Sequence, residues 1–178
     1  RLSEQRVVTG TLGDLRNAVE TARDAQRRYA VLAPLADPAL GGNPADTVQT
    51  RAQADSAVRE ASRTLELLRT QNVGAYAAAS VPAAQLWSGI VANIRQERAL
   101  LEAGERAQAD TLRPALEQRF GEMDPRLDAI ERAIAEQTGR NLEQAEQVAS
   151  RAASTTLVAL ALALAATLII GTLLTRTL

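Results

Sequence analysis

Apolar residues recur along this chain in steps of four and three. Val8, Leu12, Leu15, Val19, Ala22, Gln26 and Tyr29 alternate in that way, which holds one face of a helix toward a partner. The spacing predicts a first helix from about Ser3 to Leu32. The stretch APLADPALGGNP, Ala33 to Pro44, stops it with prolines and a glycine pair. A second helix starts with Asn43 as cap, Pro44 in the first helical position and Asp46 in the first turn; its seam is Val58, Ala61, Leu65 and Leu68, and Asn72 and Gly74 mark its stop.

A third helix is expected after Ser80, with Pro82 in its first turn, Leu86, Ile90, Ile94 and Leu101 on its inner face, and an end at Ala103-Gly104. From Glu105 to Phe120 the composition is helical, but Pro114 and Gly121 predict a short, kinked or separate piece. Asp124-Pro125 then reads as the start of a last helix through Leu127, Ile130 and Ile134, with no further breaker before Gly171. Four long helices with short connections predict an all-α, up-down-up-down four-helix bundle.

The same last helix carries the strongest contrast of polarity. Between Arg151 and Arg176 no residue is charged, and at about 1.5 Å per residue the run is longer than the roughly 30 Å of bilayer hydrocarbon. The expectation is a bundle over residues 1–150, a transmembrane helix over 151–176 and the start of a cytoplasmic linker at 177–178. The run's position excludes a cleaved signal peptide. The start at Arg1 suggests a piece of a longer protein. One Arg at each end of the run leaves orientation open by charge.

Composition changes the picture mainly by exclusion. The 178 residues include no Cys and no His, which removes disulfides, thiolate and imidazole metal sites, and His-assisted nucleophiles. No catalytic residues, metal or cofactor are expected. All 20 basic residues are arginine and the net charge is -1, so nothing favours nucleic acid. Aromatic residues make up only 2%, whereas Ala, Leu, Glu, Gln and Arg abound, which favours helix over strand.

Two polar groups interrupt the seams. Gln137, Asn141 and Gln144 extend Ile130 and Ile134 before Val148 restores an apolar residue; they form either a polar layer poised between two packings or a wet edge, with Ala133, Leu142 and Ala145 turned inward. In DAQRRYAVL, Asp24 to Leu32, Gln26, Arg27 and Tyr29 form a candidate site for an anion or small polar ligand. The ordinary alternative pairs Arg27 and Arg28 with Asp128 and Glu131, placed at the same height. Trp87 is a core residue, a pocket anchor or an interfacial ring.

QRRYAVL followed by Asp37-Pro38 resembles the Gln-Arg-Gly-Tyr-Leu-Leu-Thr-Gly-Asp-Pro stretch of the helical extracellular sensory domains called CHASE, third class, with Arg28 where that family has Gly. GEMDPRLDAIERAI, Gly121 to Ile134, resembles that family's last segment, and TLLTRTL resembles the entry to a HAMP relay module. The four-helix ligand-binding domain of chemoreceptors shares the architecture. The resemblance implies a homodimeric sensor outside the cytoplasmic membrane of a bacterium, working as part of a two-component or similar receptor. A small ligand or partner protein would bias the bundle, and the last helix, in contact with lipid, would relay the change. The alternative is a membrane-tethered structural or adaptor bundle with no ligand.

Overall fold

The computed structural model describes the backbone of residues 2–35, 43–70 and 75–177, and within these the side chains of 10–35, 43–70, 77–151 and 154–156. The described chain is all-helical: α1 spans Leu2–Leu32 and ends in a 3-10 turn at Ala33–Leu35, α2 spans Pro44–Thr70, α3 spans Ala75–Glu102 and α4 spans Arg106–Thr177. No strand occurs among the described residues. The chain divides into two compact units, residues 1–137 and 138–178.

The seam of α1 is buried from Leu12 through Leu15, Val19, Ala22 and Gln26 to Tyr29, while the side chain of Val8 lies outside the described residues. Asn43 caps α2 as expected: its Oδ1 accepts the Ala45 amide at 3.1 Å and its carbonyl accepts the Asp46 amide at 3.2 Å. Ala61, Leu65 and Leu68 are buried along that helix. Of the stretch Ala33 to Pro44 assigned as the first stop, residues 36–42, with Asp37-Pro38, fall outside the described residues, as do Asn72 and Gly74.

α3 begins ahead of Ser80, at Ala75, so Pro82 lies inside the helix rather than in its first turn. Ser80 is fully buried and its hydroxyl donates to the Ala77 carbonyl at 2.7 Å, so it serves as an interior residue and not as a cap. The expected end at Ala103-Gly104 has a complete closing motif. The amide of Glu105 reaches the Leu100 carbonyl at 2.8 Å, the amide of Gly104 reaches that of Leu101 at 3.1 Å, and Gly104 takes a φ of 79°, which glycine adopts without a Cβ clash.

The largest departure is in α4. The piece from Glu105 to Phe120 is no separate helix; Pro114, Gly121 and Pro125 all sit within one continuous element. The reason is packing. Leu116, Phe120, Met123, Leu127 and Ile130 keep the four-three alternation straight through these residues and are all buried, whereas Pro114, Gly121 and Pro125 lie on the exposed side. An interior proline costs about 3 kcal/mol, and each large apolar side chain buried returns about 1.5–3 kcal/mol, so the seam prevails.

Within residues 1–137 the four helices share one core, with Leu15, Leu65, Ile90, Met123, Leu127 and Ile130 among its least exposed members. Trp87 belongs to it: its ring meets Phe120 edge-on at 6.3 Å between centroids, and its indole nitrogen donates to Ser62 Oγ at 2.9 Å. Neighbouring helices run in opposite directions. Arg16 of α1 pairs with Asp128 at 2.5 Å and Glu131 at 3.0 Å, and further along α1 Arg23 and Arg27 pair with Glu117, so partner numbers fall as α1 advances. Ser62 with Trp87, Asp55 with Arg98 and Arg51 with Glu102 show the same for α2 and α3. Asp128 and Glu131 therefore serve Arg16, not Arg27 and Arg28, because α4 begins at Arg106 and the whole register of heights moves with it.

The membrane reading is corrected. Among the described residues no helix is long and apolar enough to cross a membrane, and the side chains of 157–178, which carry the uncharged run, lie outside them. The transmembrane exit helix, the receptor that would signal through it to a relay module, the membrane-tethered alternative and the placement in a bacterial cytoplasmic membrane lose their footing and are withdrawn.

Candidate functional site: a buried polar layer and an open helix face

Gln26 holds a seam position of α1, and so do Glu97 on α3, which continues the steps of Ile90 and Ile94, and Arg113 on α4, between Ala109 and Leu116. Three polar seam positions meet at one height of the first unit. Gln26 is 2% exposed and Glu97 1%, far below the usual exposure of such groups. The amide of Gln26 stands between an acid and a base: Nε2 donates to Glu97 Oε2 at 2.9 Å, and Oε1 accepts from Arg98 Nε at 2.8 Å.

Arg98 also pairs through Nη1 with Asp55 of α2, and its guanidinium lies 5.4 Å from the centre of the Tyr29 ring. Arg113 brings Nε to 3.5 Å from Glu97 Oε1 and holds Asp110 of its own helix at 3.0 Å. All four helices thus contribute to one buried network. Two of its atoms, Glu97 Oε1 and Arg98 Nη2, make no hydrogen bond. Burial is the main cause that pushes the Tyr29 phenol pKa above its ordinary value, with Glu102 adding to it and Arg51 and Arg98 opposing.

The three residues singled out as a ligand site are not brought together. Gln26 and Tyr29 join the interior network, whereas Arg27 is half exposed and faces the other way, where Nε meets Glu117 Oε1 at 2.5 Å. Arg23 shares the same carboxylate at 2.8 Å. The Arg27 hydrogen bond, then that of Arg23, holds the Glu117 carboxyl below the usual carboxylate range against the opposing effect of burial. Glu97, Arg98, Asp55 and Arg113 were missed in the sequence. A signal existed: Glu97 and Arg113 interrupt apolar seams at the same height as Gln26. Elsewhere in this unit a groove of about 420 Å³ between α1 and α2 is bordered by Asp14, Asn17, Thr21, Gln53, Ser56 and Glu60. No cluster of metal-ligating side chains occurs among the described residues.

The second unit has a different character. Gln137, at the end of the first unit, is partly buried, whereas Asn141 and Gln144 are exposed, as are the other residues from 140 to 151. The inward turn considered for Leu142 and Ala145 is not seen; Leu142 is 56% exposed and Val148 67%. At 100° per residue, Leu142, Ala149, Ala145, Asn141 and Val148 fall within about 120° of arc, Gln144 and Glu146 flank it about 40° beyond either edge, and Glu143, Gln147, Arg140 and Arg151 occupy the opposite side. Thr155 and Ser154 return their hydroxyls to the Arg151 carbonyl at 2.6 and 2.9 Å, bonds internal to the helix.

No family model, no curated protein and no solved structure matches this chain.

Proposed function

We propose that this chain is a helical interaction module: residues 1–137 form an up-down-up-down four-helix bundle that works by packing, without catalysis, and the second unit presents a helix face for a partner helix. The observation that carries the reading is the exposure of Leu142 and Val148 on the apolar arc of a helix that finds no cover in its own unit among the described residues. A lone helix gains little from propensity alone, and an apolar stripe is the usual place where a second helix adds the missing stability.

The polar layer fits a packing role. Its acid and base are matched to each other through Gln26, so the charges are spent on holding α1, α2, α3 and α4 at one height rather than left for a substrate. Buried polar groups of this kind set register more than they add stability.

The test uses the absence of cysteine from the chain. Val148→Cys and Gln147→Cys chains are labelled with a thiol reagent in cells that express the full chain, where every natural partner is present. Slow labelling at position 148 against fast labelling at 147 is expected. Equal, fast labelling at both positions would remove the partner helix.

A further inference from the structure

We infer that the polar layer of the first unit binds internal water, which donates a hydrogen bond to Glu97 Oε1 and accepts one from Arg98 Nη2. Both atoms are sealed from solvent, and neither has a hydrogen-bond partner in the protein. Their residues stand at consecutive positions of α3, with Glu97 1% and Arg98 7% exposed. Buried polar atoms of a folded protein are almost always satisfied, and a charged group left dry is the costliest exception.

The neighbouring side chains are already engaged. The Gln26 carbonyl accepts from Arg98 Nε, and the Gln26 amide donates to Glu97 Oε2, the other oxygen of the same carboxylate. Asp55 is held by Arg98 Nη1. Arg113 Nε stops 3.5 Å from Glu97 Oε1 without a hydrogen bond, and its Nη2 is turned to Asp110. Whatever completes the layer must therefore donate on one side and accept on the other. A metal cation would serve Glu97 and repel Arg98, and an anion would do the reverse, whereas a neutral water molecule serves both and adds no charge to the interior. Small side chains leave it room. Ala25 and Ala54 precede Gln26 and Asp55, Ala22 and Ala109 stand one turn before Gln26 and Arg113, and all four are buried, where the other half of the core carries Leu15, Leu65, Ile90 and Met123.

Magnetic relaxation dispersion of water oxygen, recorded on the purified full chain in a mild detergent, tests this, because water held in the interior gives a step that surface water does not. The unmodified chain is expected to show that step. The triple variant Gln26→Leu, Glu97→Leu and Arg98→Met is expected to lose part or all of it, and Glu117→Gln, outside the layer, to keep it in full. No step in the unmodified chain, or an equal step in the triple variant, overturns the inference. If the triple variant does not fold, as told by loss of the buried-indole emission of Trp87, the unmodified chain decides. Nuclear Overhauser effects from water to the methyl groups of Ala22, Ala25, Ala54 or Ala109 are then expected, since these methyls carry no exchangeable proton and are buried from bulk solvent. Their absence at all four overturns it equally. Neither result bears on the partner helix of the second unit.

Discussion

The two halves of the first unit hold the same four helices together by different means. In the half around Leu15, Leu65, Ile90 and Leu127, the inward positions are mainly large and apolar, with only the small hydroxyls of Thr64 and Ser80 buried among them, and the layers depend on shape. In the half around Gln26, Asp55, Glu97 and Arg113, one layer depends on matching a donor to each acceptor. An apolar layer tolerates small rotations because dispersion and burial are not directional. A hydrogen-bonded layer does not, since an amide turned away from both Glu97 and Arg98 leaves a buried acceptor and a buried donor without it. The first half supplies most of the stability and the second supplies the choice of one packing.

Mutations can break that comparison. The largest effect is expected from Ile90→Ala, fully buried among large apolar neighbours, which should cost about 3–5 kcal/mol in a urea titration of the first unit's unfolding. Next, Arg98→Met alone should cost about 2–4 kcal/mol by the same measurement, because the buried Gln26 Oε1 then loses its donor and Asp55 its ion-pair partner, while the interior charge of Glu97 keeps only Arg113 at 3.5 Å. The triple change Gln26→Leu, Glu97→Leu and Arg98→Met should recover most of this loss. Asp55 is exposed enough to return to water, and Arg113 retains Asp110. If the triple variant is as unstable as the single one, the layer contributes stability rather than specificity.

Gly121 lies between the two halves on the exposed side of α4, and a Cβ there meets nothing within 4 Å. Gly121→Ala should therefore stabilise the unit by about 0.5–1 kcal/mol, seen as a higher Tm. The smallest effect is that of acid on the polar half. The Glu117 pKa is lowered in the folded state by Arg27 and Arg23, so its contribution is present above the unfolded value of about 4.3 and is lost as pH falls from there through the folded value. With Arg27 half exposed, about 0.5–1 kcal/mol should disappear over that range and Glu117→Gln should flatten it, as followed by thermal melts at successive pH values.

Much of this organisation was legible in the sequence, and the reasons differ by residue. α1 and the cap of α2 follow from local rules that tertiary packing leaves in force: an unbroken four-three alternation and an Asn-Pro start. α4 was harder, because Pro114, Gly121 and Pro125 signal a break when each is taken alone. Their weight falls once Leu116, Phe120, Met123, Leu127 and Ile130 are seen to repeat across them. Gln26 stood out as a polar residue on an apolar seam, but its partners Glu97 and Arg98 lie on α3 and are themselves paired with Asp55 of α2 and Arg113 of α4, and the heights on α4 depend on where that helix begins. An error in that one boundary sent Asp128 and Glu131 to Arg27 instead of Arg16.

Trp87 gives the apolar half a built-in reporter. It is the one tryptophan of the chain, 3% exposed, with its ring edge-on to Phe120 and its nitrogen held by Ser62. Ultraviolet emission excited at the red edge of protein absorbance therefore comes from that single indole. A loosening confined to the Gln26 layer would leave the emission colour unchanged while far-ultraviolet circular dichroism or backbone exchange altered, so two optical readings on the unmodified chain distinguish partial opening from complete melting.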